Sequence, residues 1–256
     1  MAVGVTPPVV LSVAGTDSSG GAGIAADLTT FAALGAYGTV AVTAVTAQNT
    51  TGVQQVYPLP AEFVAQQLDS VLNDLPVAAV KTGMLADPKI IAIVGNYAAA
   101  GKLPNLVIDP VMVSSTGDSL LDHGAENLYL ELLEHSTTTT PNRWEAQMLC
   151  NAGGLHSFEA LGELCGGCLV ITGESTGIDR VFHNKNKTLL QGQEIDTSND
   201  HGTGCTFSAA IASNLAHRVE PLEAIIKAKE FVRERIMDSA NWNIGNGRGP
   251  VSHVLA

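Results

Sequence analysis

Residues 9–34 read Val9-Val-Leu-Ser-Val-Ala-Gly-Thr-Asp-Ser-Ser-Gly-Gly-Ala-Gly-Ile-Ala-Ala-Asp-Leu-Thr-Thr-Phe-Ala-Ala-Leu34. The opening apolar run is nearly continuous, which is typical of a strand buried on both faces in a parallel sheet. A glycine-rich turn follows, and then Ile24, Leu28, Phe31 and Leu34 recur at the spacing of one helix face. A strand, a turn and a helix in this order predict an α/β layer structure.

Similar apolar runs recur between helical patterns along the chain. The runs lie at Val40–Val45, Val77–Val80, Leu106–Ile108 and Leu169–Ile171, and helical stripes lie at Phe63–Leu72 and Leu222–Ile236. In the segment 179–195, two short strand-like runs flank the polar turn Asn184–Asn186 and predict an antiparallel hairpin. We therefore expect one domain, residues 1–256, with a three-layer α/β/α architecture that has a mostly parallel central sheet and an antiparallel edge hairpin.

The composition excludes several classes of protein. The 256 residues are 45% hydrophobic, and 13 basic against 25 acidic residues leave a net charge of −12. A general nucleic-acid binder needs a basic surface, so no nucleic-acid partner is expected. No apolar run of about 18 residues occurs, so no membrane span is expected. The start lacks a basic region and a long apolar run, so no signal peptide is expected and a cytoplasmic location is predicted.

Two of the cysteines form a C-x-x-C motif, Cys165-Gly-Gly-Cys168. A redox motif of this kind opens a helix, whereas this pair leads into the apolar run Leu169–Ile171. One pair also cannot complete a tetrahedral zinc site. A structural role is therefore favoured over a redox or zinc-binding role.

The first glycine-rich turn contains Gly21-Ala-Gly23, which suggests a dinucleotide-binding fingerprint. That fingerprint needs an acidic residue about 20 positions later to bind a ribose hydroxyl. No acidic residue occurs between Asp27 and Glu62, so this interpretation is rejected. The segment Gly95–Lys102 has the wrong spacing for a nucleoside-triphosphate P-loop and is rejected as well.

A second glycine-rich segment, Asn199-Asp-His-Gly-Thr-Gly-Cys-Thr206, precedes a run of small helix-forming residues. Gly202 and Gly204 can present backbone N–H groups at a helix N-terminus, where the dipole favours a phosphate. Cys205 would lie in the first turn, where the helix end is expected to lower its pKa and favour the thiolate. The alternative is a glycine-rich turn with Cys205 as a small buried side chain. The motif alone does not decide between the two.

Three further side chains extend the phosphate hypothesis. Asn142 and Glu145 lie three residues apart near a predicted helix start, and such an oxygen pair suits Mg²⁺, which keeps most of its waters. An ordinary capped helix is the alternative, and the pair taken alone favours it. Asp109 follows the run Leu106–Ile108, and ligands of open α/β sheets bind at the carboxyl ends of strands. A turn residue is the alternative for Asp109.

The motifs that carry a family resemblance run in order over nearly the whole chain. They are Ala14–Ile24, Ala26–Leu28, Leu34–Gly38, Thr46–Thr50, Lys81–Met84, Ile108–Met112, Thr140–Asn142, His201–Thr206 and Gly249–Val251. Together they resemble the hydroxymethylpyrimidine/phosphomethylpyrimidine kinases of thiamine biosynthesis. The resemblance implies a ribokinase-like fold and two successive phosphorylations of 4-amino-5-hydroxymethyl-2-methylpyrimidine, with ATP and Mg²⁺. It also implies a cytosolic homodimer.

The resemblance implies roles for individual residues. Cys205 is the expected catalytic base, and the expected anion hole comprises His201, Gly202, Thr203, Gly204 and Cys205. The pyrimidine pocket is expected to contain Gln48, Asp27, Gly15, Met84, Val111 and His201. The nucleotide is expected to contact Asp109, Asn142, Thr172 and Gly173, and the metal to be organised by Asn142 and Glu145.

Physical chemistry supports Gln48 independently of the resemblance. A primary amide offers one acceptor and two donors, so it can accept from an aminopyrimidine's amino group and donate to the adjacent ring nitrogen. The same geometry lets glutamine read adenine. A surface glutamine in a loop is the alternative, but Gln48 closely follows the apolar run Val40–Val45.

Two other functions stay open at this point. Family members often carry Lys-Gly-Gly where this chain has Thr172-Gly-Glu174, so a lysine that could contact a phosphate is absent. Pyridoxal kinases resemble the chain here, but pyridoxal offers a phenol oxygen where Gln48 would expect an amino group. A non-catalytic pyrimidine-binding module is the third possibility. A lid is expected near Thr116–Asp118 or Thr176–Ile178.

Overall fold

The computed structural model describes residues 6–113, 117, 125–175 and 177–254, with the backbone alone at 174 and 175. Positions 116, 118 and 176, within the two segments expected to carry a lid, lie outside the described residues. The strands are β1 (Val9–Ala14), β2 (Tyr37–Val42), β3 (Ala44–Asn49), β4 (Gly52–Pro58), β5 (Val77–Thr82), β6 (Leu106–Ile108), β7 (Thr138–Thr139), β8 (Cys168–Ser175), β9 (Ile178–His183) and β10 (Asn186–Leu190). The helices are α1 (Gly23–Ala33), α2 (Ala61–Leu72), α3 (Pro88–Ala99), α4 (Glu126–Leu133), α5 (Arg143–Ala152), α6 (Phe158–Leu164), α7 (Thr203–Ala216) and α8 (Pro221–Ser239).

The central sheet has the strand order β10-β9-β8-β7-β6-β5-β1-β2. The strands from β2 to β8 in this order pair in parallel, whereas β9 and β10 are antiparallel and form the edge hairpin. Crossover helices cover both faces, because a parallel sheet must be buried on both sides. The predicted mostly parallel sheet with an antiparallel edge hairpin is confirmed.

Two hydrophobic layers flank the sheet, and β1 contributes to both because its side chains alternate between faces. Leu11 and Val13 pack with α2 to α6, whereas Val10 packs with α1, α7 and α8. The alanines of α7 are buried, so this helix lies close against the sheet. Its N-terminus therefore reaches the edge formed by the carboxyl ends of the strands.

A second, two-stranded antiparallel sheet, β3–β4, was missed by the sequence analysis. The apolar run Val40–Val45 contains the end of β2 and the start of β3, and the chain leaves the central sheet between them. Thr43 holds this corner, since its N–H donates to the Ala14 carbonyl and its hydroxyl donates to the Met84 carbonyl at 2.6 Å. Continuity of hydrophobic character conceals a corner of this kind, because the buried threonine is satisfied only by partners distant in sequence.

The C-x-x-C motif enters β8 as predicted, and Cys150, Cys165 and Cys168 are free and buried. Burial raises the pKa of Cys165 to about 12 and that of Cys168 to about 11, which keeps both thiols protonated and unreactive. Among the described helices, none combines the length and the apolar character that a membrane crossing requires.

Candidate active site

A cleft of about 240 Å³ opens where the carboxyl ends of β1, β5 and β6 meet the N-terminus of α7. Its walls also include the β3–β4 hairpin and the start of α5. The expected site residues that line it are Gly15, Gln48, Met84, Asp109, Val111, Asn142, Glu145, Thr172, His201, Gly202, Thr203, Gly204 and Cys205. Two expected residues, Asp27 and Gly173, do not line the cleft.

The N-terminus of α7 forms one end of the cleft. Gly202 precedes the helix with a φ of 84°, and a Cβ at this position would collide with the carbonyl oxygen of Gly21, so only glycine fits. Within the described residues, no carbonyl outside the helix accepts from the N–H groups of Gly204 and Cys205. The first N–H groups of a helix need an external acceptor, so this end is suited to an anion.

A buried acid–imidazole pair joins the two glycine-rich turns. His201 Nε2 lies 2.7 Å from Asp17 Oδ2, and the same carboxylate accepts from the Ser19 and Ala22 N–H groups. Burial acts against the charge of Asp17, but hydrogen bonds from His201 and Ser19 outweigh it and lower the pKa of Asp17 to about 2. Asp17 is therefore ionised at neutral pH, and it fixes the turn after β1 against the turn before α7.

Cys205 is half-buried in the first turn of α7, and the expectation that the helix end lowers its pKa is wrong. Desolvation raises the pKa of the thiol to about 12, because it outweighs the opposing effects of Lys81 and of the Gly23 amide. The nearby carboxylates of Asp27 and Asp109 raise it further. The resting sulfur is therefore a neutral thiol.

Asp27 is not a wall of the pyrimidine pocket, contrary to the expectation from the family resemblance. It is completely buried on α1, where both carboxylate oxygens lie 2.9 Å from Lys81 Nζ and one accepts from the Ser12 hydroxyl at 2.6 Å. A carboxylate at a fully dry position needs a charged partner, and Lys81 is that partner. Lys81 itself lines the cleft, so the aspartate acts from behind it.

Asp109 lies beyond β6 and accepts a hydrogen bond from the Ser208 hydroxyl of α7 at 3.0 Å. Burial raises the pKa of Asp109 to about 6, although Lys81 and Ser208 act in the opposite direction. Its position at the end of a central strand agrees with the general location of ligands in open α/β sheets.

Asn142 and Glu145 form a reciprocal capping box at the start of α5 rather than a free pair of oxygens. Asn142 Oδ1 accepts from the Trp144 and Glu145 N–H groups, and Glu145 Oε2 accepts from the Asn142 N–H, each at 2.9 Å. The expected use of the Asn142 side-chain oxygen as a metal ligand is therefore corrected, because that oxygen already holds two donors. Glu145 remains available for a cation.

The charge of Glu145 is poorly compensated. Burial and the neighbouring Asp109 raise the pKa of Glu145 to about 8, and the Asn142 and Met112 N–H groups oppose this only in part. Two carboxyls with raised pKa values at one wall of a cleft fit a divalent cation, which prefers oxygen ligands. Among the described residues, no three His, Cys, Asp or Glu side chains form a preassembled metal site.

Gln48 lies on β3, half-buried, and faces the cleft. Its backbone is held by Ser18, whose hydroxyl donates to the Gln48 carbonyl and accepts from its N–H, both at 2.8 Å. In the part of the chain that the structure describes, its carboxamide makes no hydrogen bond, so the amide is available to a ligand. Gly15 and Met84 contact each other beside it, since a Cβ on Gly15 would overlap the Met84 methyl group.

The opposite end of the cleft is formed by β8. Thr172 lines it and donates its N–H to the Pro141 carbonyl at 3.0 Å. Gly173 turns away from the cleft, because its N–H donates to Asp179 Oδ1, and Asp179 Oδ2 lies 2.6 Å from Lys229 Nζ. The expected contact of Gly173 with a nucleotide is therefore a proposal that would require this amide to change partner.

A C-terminal strap, residues 245–251, connects the β3–β4 hairpin to the turn that precedes α7, at His201. The Asn246 and Gly247 N–H groups donate to the Thr50 hydroxyl, and the Arg248 N–H donates to the Thr50 carbonyl. The same strap pairs with His201, whose N–H donates to Gly249 and whose carbonyl accepts from Val251. The strap thus fixes both ends of the cleft wall.

Sequence reasoning missed Lys81 and Asp17 as functional candidates, although both belong to the quoted motifs. A lysine at the end of an apolar strand was the available signal for Lys81, because a charge in such a position must be paired. Asp17 gave no signal of its own, since its partner His201 is 184 residues away along the chain.

The three layers, with a helix N-terminus suited to an anion beside a pocket that carries a free carboxamide, fit a small-molecule kinase of the α/β/α type. The family model described as phosphomethylpyrimidine kinase matches residues 17–252. The chain belongs to this family and is a phosphotransferase.

Relatives and solved structures agree with this assignment. The hydroxymethylpyrimidine/phosphomethylpyrimidine kinase of Synechococcus elongatus is 42% identical over 96% of this chain and 97% of its own length. The structure of a Clostridium difficile phosphomethylpyrimidine kinase has a TM-score of 0.76 at 33% identity and covers 90% of this chain and 99% of that one. A Staphylococcus aureus pyridoxal kinase in complex with ADP has a TM-score of 0.86 at 34% identity and covers 98% and 94%. The predicted ribokinase-like fold is confirmed.

Proposed function

We propose that this kinase transfers the γ-phosphoryl group of ATP to 4-amino-5-hydroxymethyl-2-methylpyrimidine and then to its monophosphate, in thiamine biosynthesis. The observation that carries the proposal is that Gln48 and Cys205 line one cleft, beside the N-terminus of α7. An amide that can read an aminopyrimidine therefore shares a cleft with a thiol that can orient the substrate hydroxyl or, as a thiolate, receive its proton. Relatives that are hydroxymethylpyrimidine/phosphomethylpyrimidine kinases, from Synechococcus elongatus and Escherichia coli, support the same substrate.

Binding of the pyrimidine is assigned to the hairpin side of the cleft. The Gln48 carboxamide accepts from the 4-amino group and donates to the adjacent ring nitrogen. Met84 and Val111 supply apolar walls, and Met84 is held by its contact with Gly15. This orientation directs the hydroxymethyl group towards α7, which provides the proximity that phosphoryl transfer needs.

Transfer takes place at the N-terminus of α7. The substrate oxygen attacks the γ-phosphorus in line, ADP leaves, and the hydroxyl proton passes to the Cys205 sulfur when that sulfur is a thiolate. As a thiol, Cys205 orients the hydroxyl instead. A loose transition state requires less help from a general base, so orientation can suffice. The Gly204 and Cys205 N–H groups stabilise the charge on the migrating phosphoryl group.

A divalent cation fits the acidic wall of the cleft. Asp109 and Glu145 would hold Mg²⁺, directly or through its waters, because a divalent cation prefers oxygen ligands and would offset the burial that raises the pKa values of both carboxyls. When bound, Mg²⁺ neutralises charge on the nucleotide phosphates. Asn142 contributes by placing Glu145 through the capping box.

Pyridoxal kinase is the second candidate, because the Staphylococcus aureus pyridoxal kinase has a closely similar structure. The Gln48 carboxamide disfavours it as the main activity. Pyridoxal would cover the Gln48 amide and leave part of it unpaired, which costs about 1–3 kcal/mol for each group. A cytoplasmic location and a homodimer stay predictions, and light scattering of the purified protein would measure the oligomeric state.

A coupled ADP-release assay with three acceptors tests the proposal. We expect turnover with the aminopyrimidine and with its monophosphate, and a lower kcat/KM with pyridoxal. Preferred turnover of pyridoxal would establish the second candidate instead. If the protein binds the aminopyrimidine but releases no ADP from ATP in the presence of any of the three acceptors, it is a non-catalytic pyrimidine-binding module.

A further inference from the structure

The turn after β1 contacts both the β3–β4 hairpin and the turn that precedes α7. Its side chains bond in alternate directions along the chain. Thr16 and Ser18 bond to β3, whereas Asp17 between them lies 2.7 Å from His201 Nε2. Three consecutive residues therefore connect the strand that carries Gln48 to the segment that leads into the N-terminus of α7.

The strand β3 has β4 on one edge and this turn on the other. The Thr16 N–H donates to the Ala44 carbonyl at 2.9 Å, and the Thr46 N–H donates to the Thr16 hydroxyl at 3.0 Å. The Ser18 hydroxyl donates to the Gln48 carbonyl and accepts from the Gln48 N–H, both at 2.8 Å. One hydroxyl can satisfy both groups, because it is a donor and an acceptor. Ser18 thus holds the backbone of the residue whose carboxamide faces the cleft.

A β-bulge in β4 keeps that carboxamide available. Ala47 pairs with Gln55, but Gln48 pairs with Val53, so the pairing skips Gln54. In a regular ladder Gln54 would lie directly opposite Gln48, where the two amides would be close enough to bond to each other. The bulge places an apolar side chain there instead, and the Gln54 carboxamide donates to a carbonyl of its own strand at 2.9 Å.

These contacts determine where the Gln48 amide lies relative to the transfer site. Two hydrogen bonds to a planar ring require an amide that is already in place, since each group that must be ordered on binding reduces affinity. Ser18 fixes the backbone of Gln48, and the adjacent Asp17 fixes the same turn on His201. The separation between the carboxamide and the start of α7 is therefore set by two neighbouring residues.

We propose that Ser18 is a positioning residue for the choice of acceptor. Its hydroxyl holds Gln48 where the carboxamide meets an aminopyrimidine, and it thereby favours that acceptor over pyridoxal. The identity of the acceptors rests on the proposed function. The attachment of β3 through Ser18 is a separate property, which can be measured without substrate.

The first test compares steady-state kinetics of the wild type and Ser18→Ala with two acceptors. We expect kcat/KM for the aminopyrimidine to fall by about 3- to 10-fold, the size of effect that a lost exposed hydrogen bond produces. The change should be in KM, with kcat within about twofold, because Ser18 does not touch the transfer site. For pyridoxal, kcat/KM should stay within about twofold, so the preference between the acceptors falls. Ser18→Thr keeps the hydroxyl and should restore most of it.

A double-mutant cycle shows whether Ser18 acts through Gln48. In the Gln48→Leu background the carboxamide is absent, so adding Ser18→Ala should change kcat/KM for the aminopyrimidine by less than about twofold. A general disturbance of the hairpin would instead give the same loss in both backgrounds. That equal loss would overturn the proposal.

The matched control is Ser70→Ala on α2. Ser70 is also exposed, and its hydroxyl also donates to a backbone carbonyl at 2.8 Å, but it does not line the cleft. Ser70→Ala should leave the kinetic constants for both acceptors unchanged. A drop in acceptor preference equal to that of Ser18→Ala would attribute the effect to lost stability and overturn the proposal.

Hydrogen exchange of the Gln48 amide, measured by NMR in the absence of ligands, provides the readout that does not depend on activity. Ser18→Ala should quicken this exchange by about 3- to 10-fold, because the N–H loses its acceptor, and Ser70→Ala should leave it unchanged. If the wild type turns over neither acceptor, the proposed function fails, and faster exchange together with weaker binding of the aminopyrimidine in calorimetry would still assign the role to Ser18. Unchanged exchange, or an unchanged acceptor preference in an active Ser18→Ala, would overturn the proposal.

Discussion

The part of the cleft that lies around the Lys81–Asp27 ion pair and the N-terminus of α7, which we call the floor, is held inside the protein. The β3–β4 hairpin beside it is largely exposed. Lys81 and Asp27 are inaccessible to solvent, but Val45 and Tyr57 of the hairpin are 47% and 63% exposed. The floor is held by the central sheet and two helices, and the hairpin by Ser18, Thr16 and the strap. We infer that the floor determines the chemistry and that the hairpin determines which acceptor is presented to it.

The largest effect should come from the floor. We expect Cys205→Ala to lower kcat by about 10²- to 10⁴-fold, the range associated with a lost general base, while the KM for the pyrimidine stays within about twofold. Steady-state kinetics with ADP release as the signal measure both constants. Unchanged kcat in this variant would remove Cys205 from the proton-transfer step.

A smaller effect, on acceptor recognition, should come from the hairpin. Gln48→Leu removes both hydrogen bonds to the aminopyrimidine and should lower kcat/KM by about 5- to 150-fold, which corresponds to about 1–3 kcal/mol. The matched control is Gln55→Leu, an exposed residue on β4 that pairs with Ala47 and therefore lies on the other face of the hairpin. Equal losses in the two variants would show a general disturbance of the hairpin rather than recognition by Gln48.

The acidic wall predicts how stability depends on pH. The pKa of Glu145 rises from its ordinary 4.5 to about 8 on folding, so the folded state binds more protons between these values. Stability should therefore fall as the pH rises from about 5 to 8, with a slope of at most about 1.4 kcal/mol per pH unit for this group. Glu145→Gln should flatten that slope in urea unfolding at several pH values.

The control for Glu145→Gln is Glu131→Gln, which changes an exposed residue of α4. This variant should retain the wild-type slope. Added Mg²⁺ should also stabilise the wild type more than Glu145→Gln at pH 8, because the cation binds the ionised carboxyl. A wild-type slope in Glu145→Gln would show that the acidic wall does not hold its protons at neutral pH.

The smallest effect should come from the strap. Arg248 forms an exposed ion pair with Asp200, which lines the cleft, and such pairs contribute about 0–1 kcal/mol. Arg248→Ala should therefore raise the KM for the pyrimidine by about fivefold at most and leave kcat unchanged. Arg233→Ala, which breaks an exposed pair with Glu230 on α8, is the control and should leave both constants unchanged. A large loss of kcat in Arg248→Ala would show that the strap also supports the floor.

Sequence patterns predicted the central sheet and the start of α7 better than the β3–β4 hairpin, for a physical reason. Strands such as Leu106–Ile108 are buried on both faces, so their continuous apolar character is a local property of the chain. The helix end at Gly202 was also locally encoded, because its positive φ requires glycine. The hairpin depends on partners far away in sequence, and for that reason its first strand was merged with β2.

The errors in the site have a similar origin. Asp27 was placed in the pocket because it lies in a conspicuous motif, whereas its direction depends on Lys81, 54 residues away. The pKa of Cys205 was expected to fall because the helix end was considered without the desolvation that burial imposes. Asn142 and Glu145 matched a capping pattern locally, and the structure contains the capping box. Charge and burial together decide such roles, and neither is visible in a short segment.

The strap also has a consequence for biosynthesis of the chain. Its bonds to Thr50 span 196 and 197 residues, so they form only after Asn246 and Gly247 have left the ribosome. Contacts of such long separation form late, because the loop they close carries a large entropic cost. A nascent chain that already contains Gln48 and Cys205 is therefore expected to lack the bonds that hold the hairpin against the turn before α7.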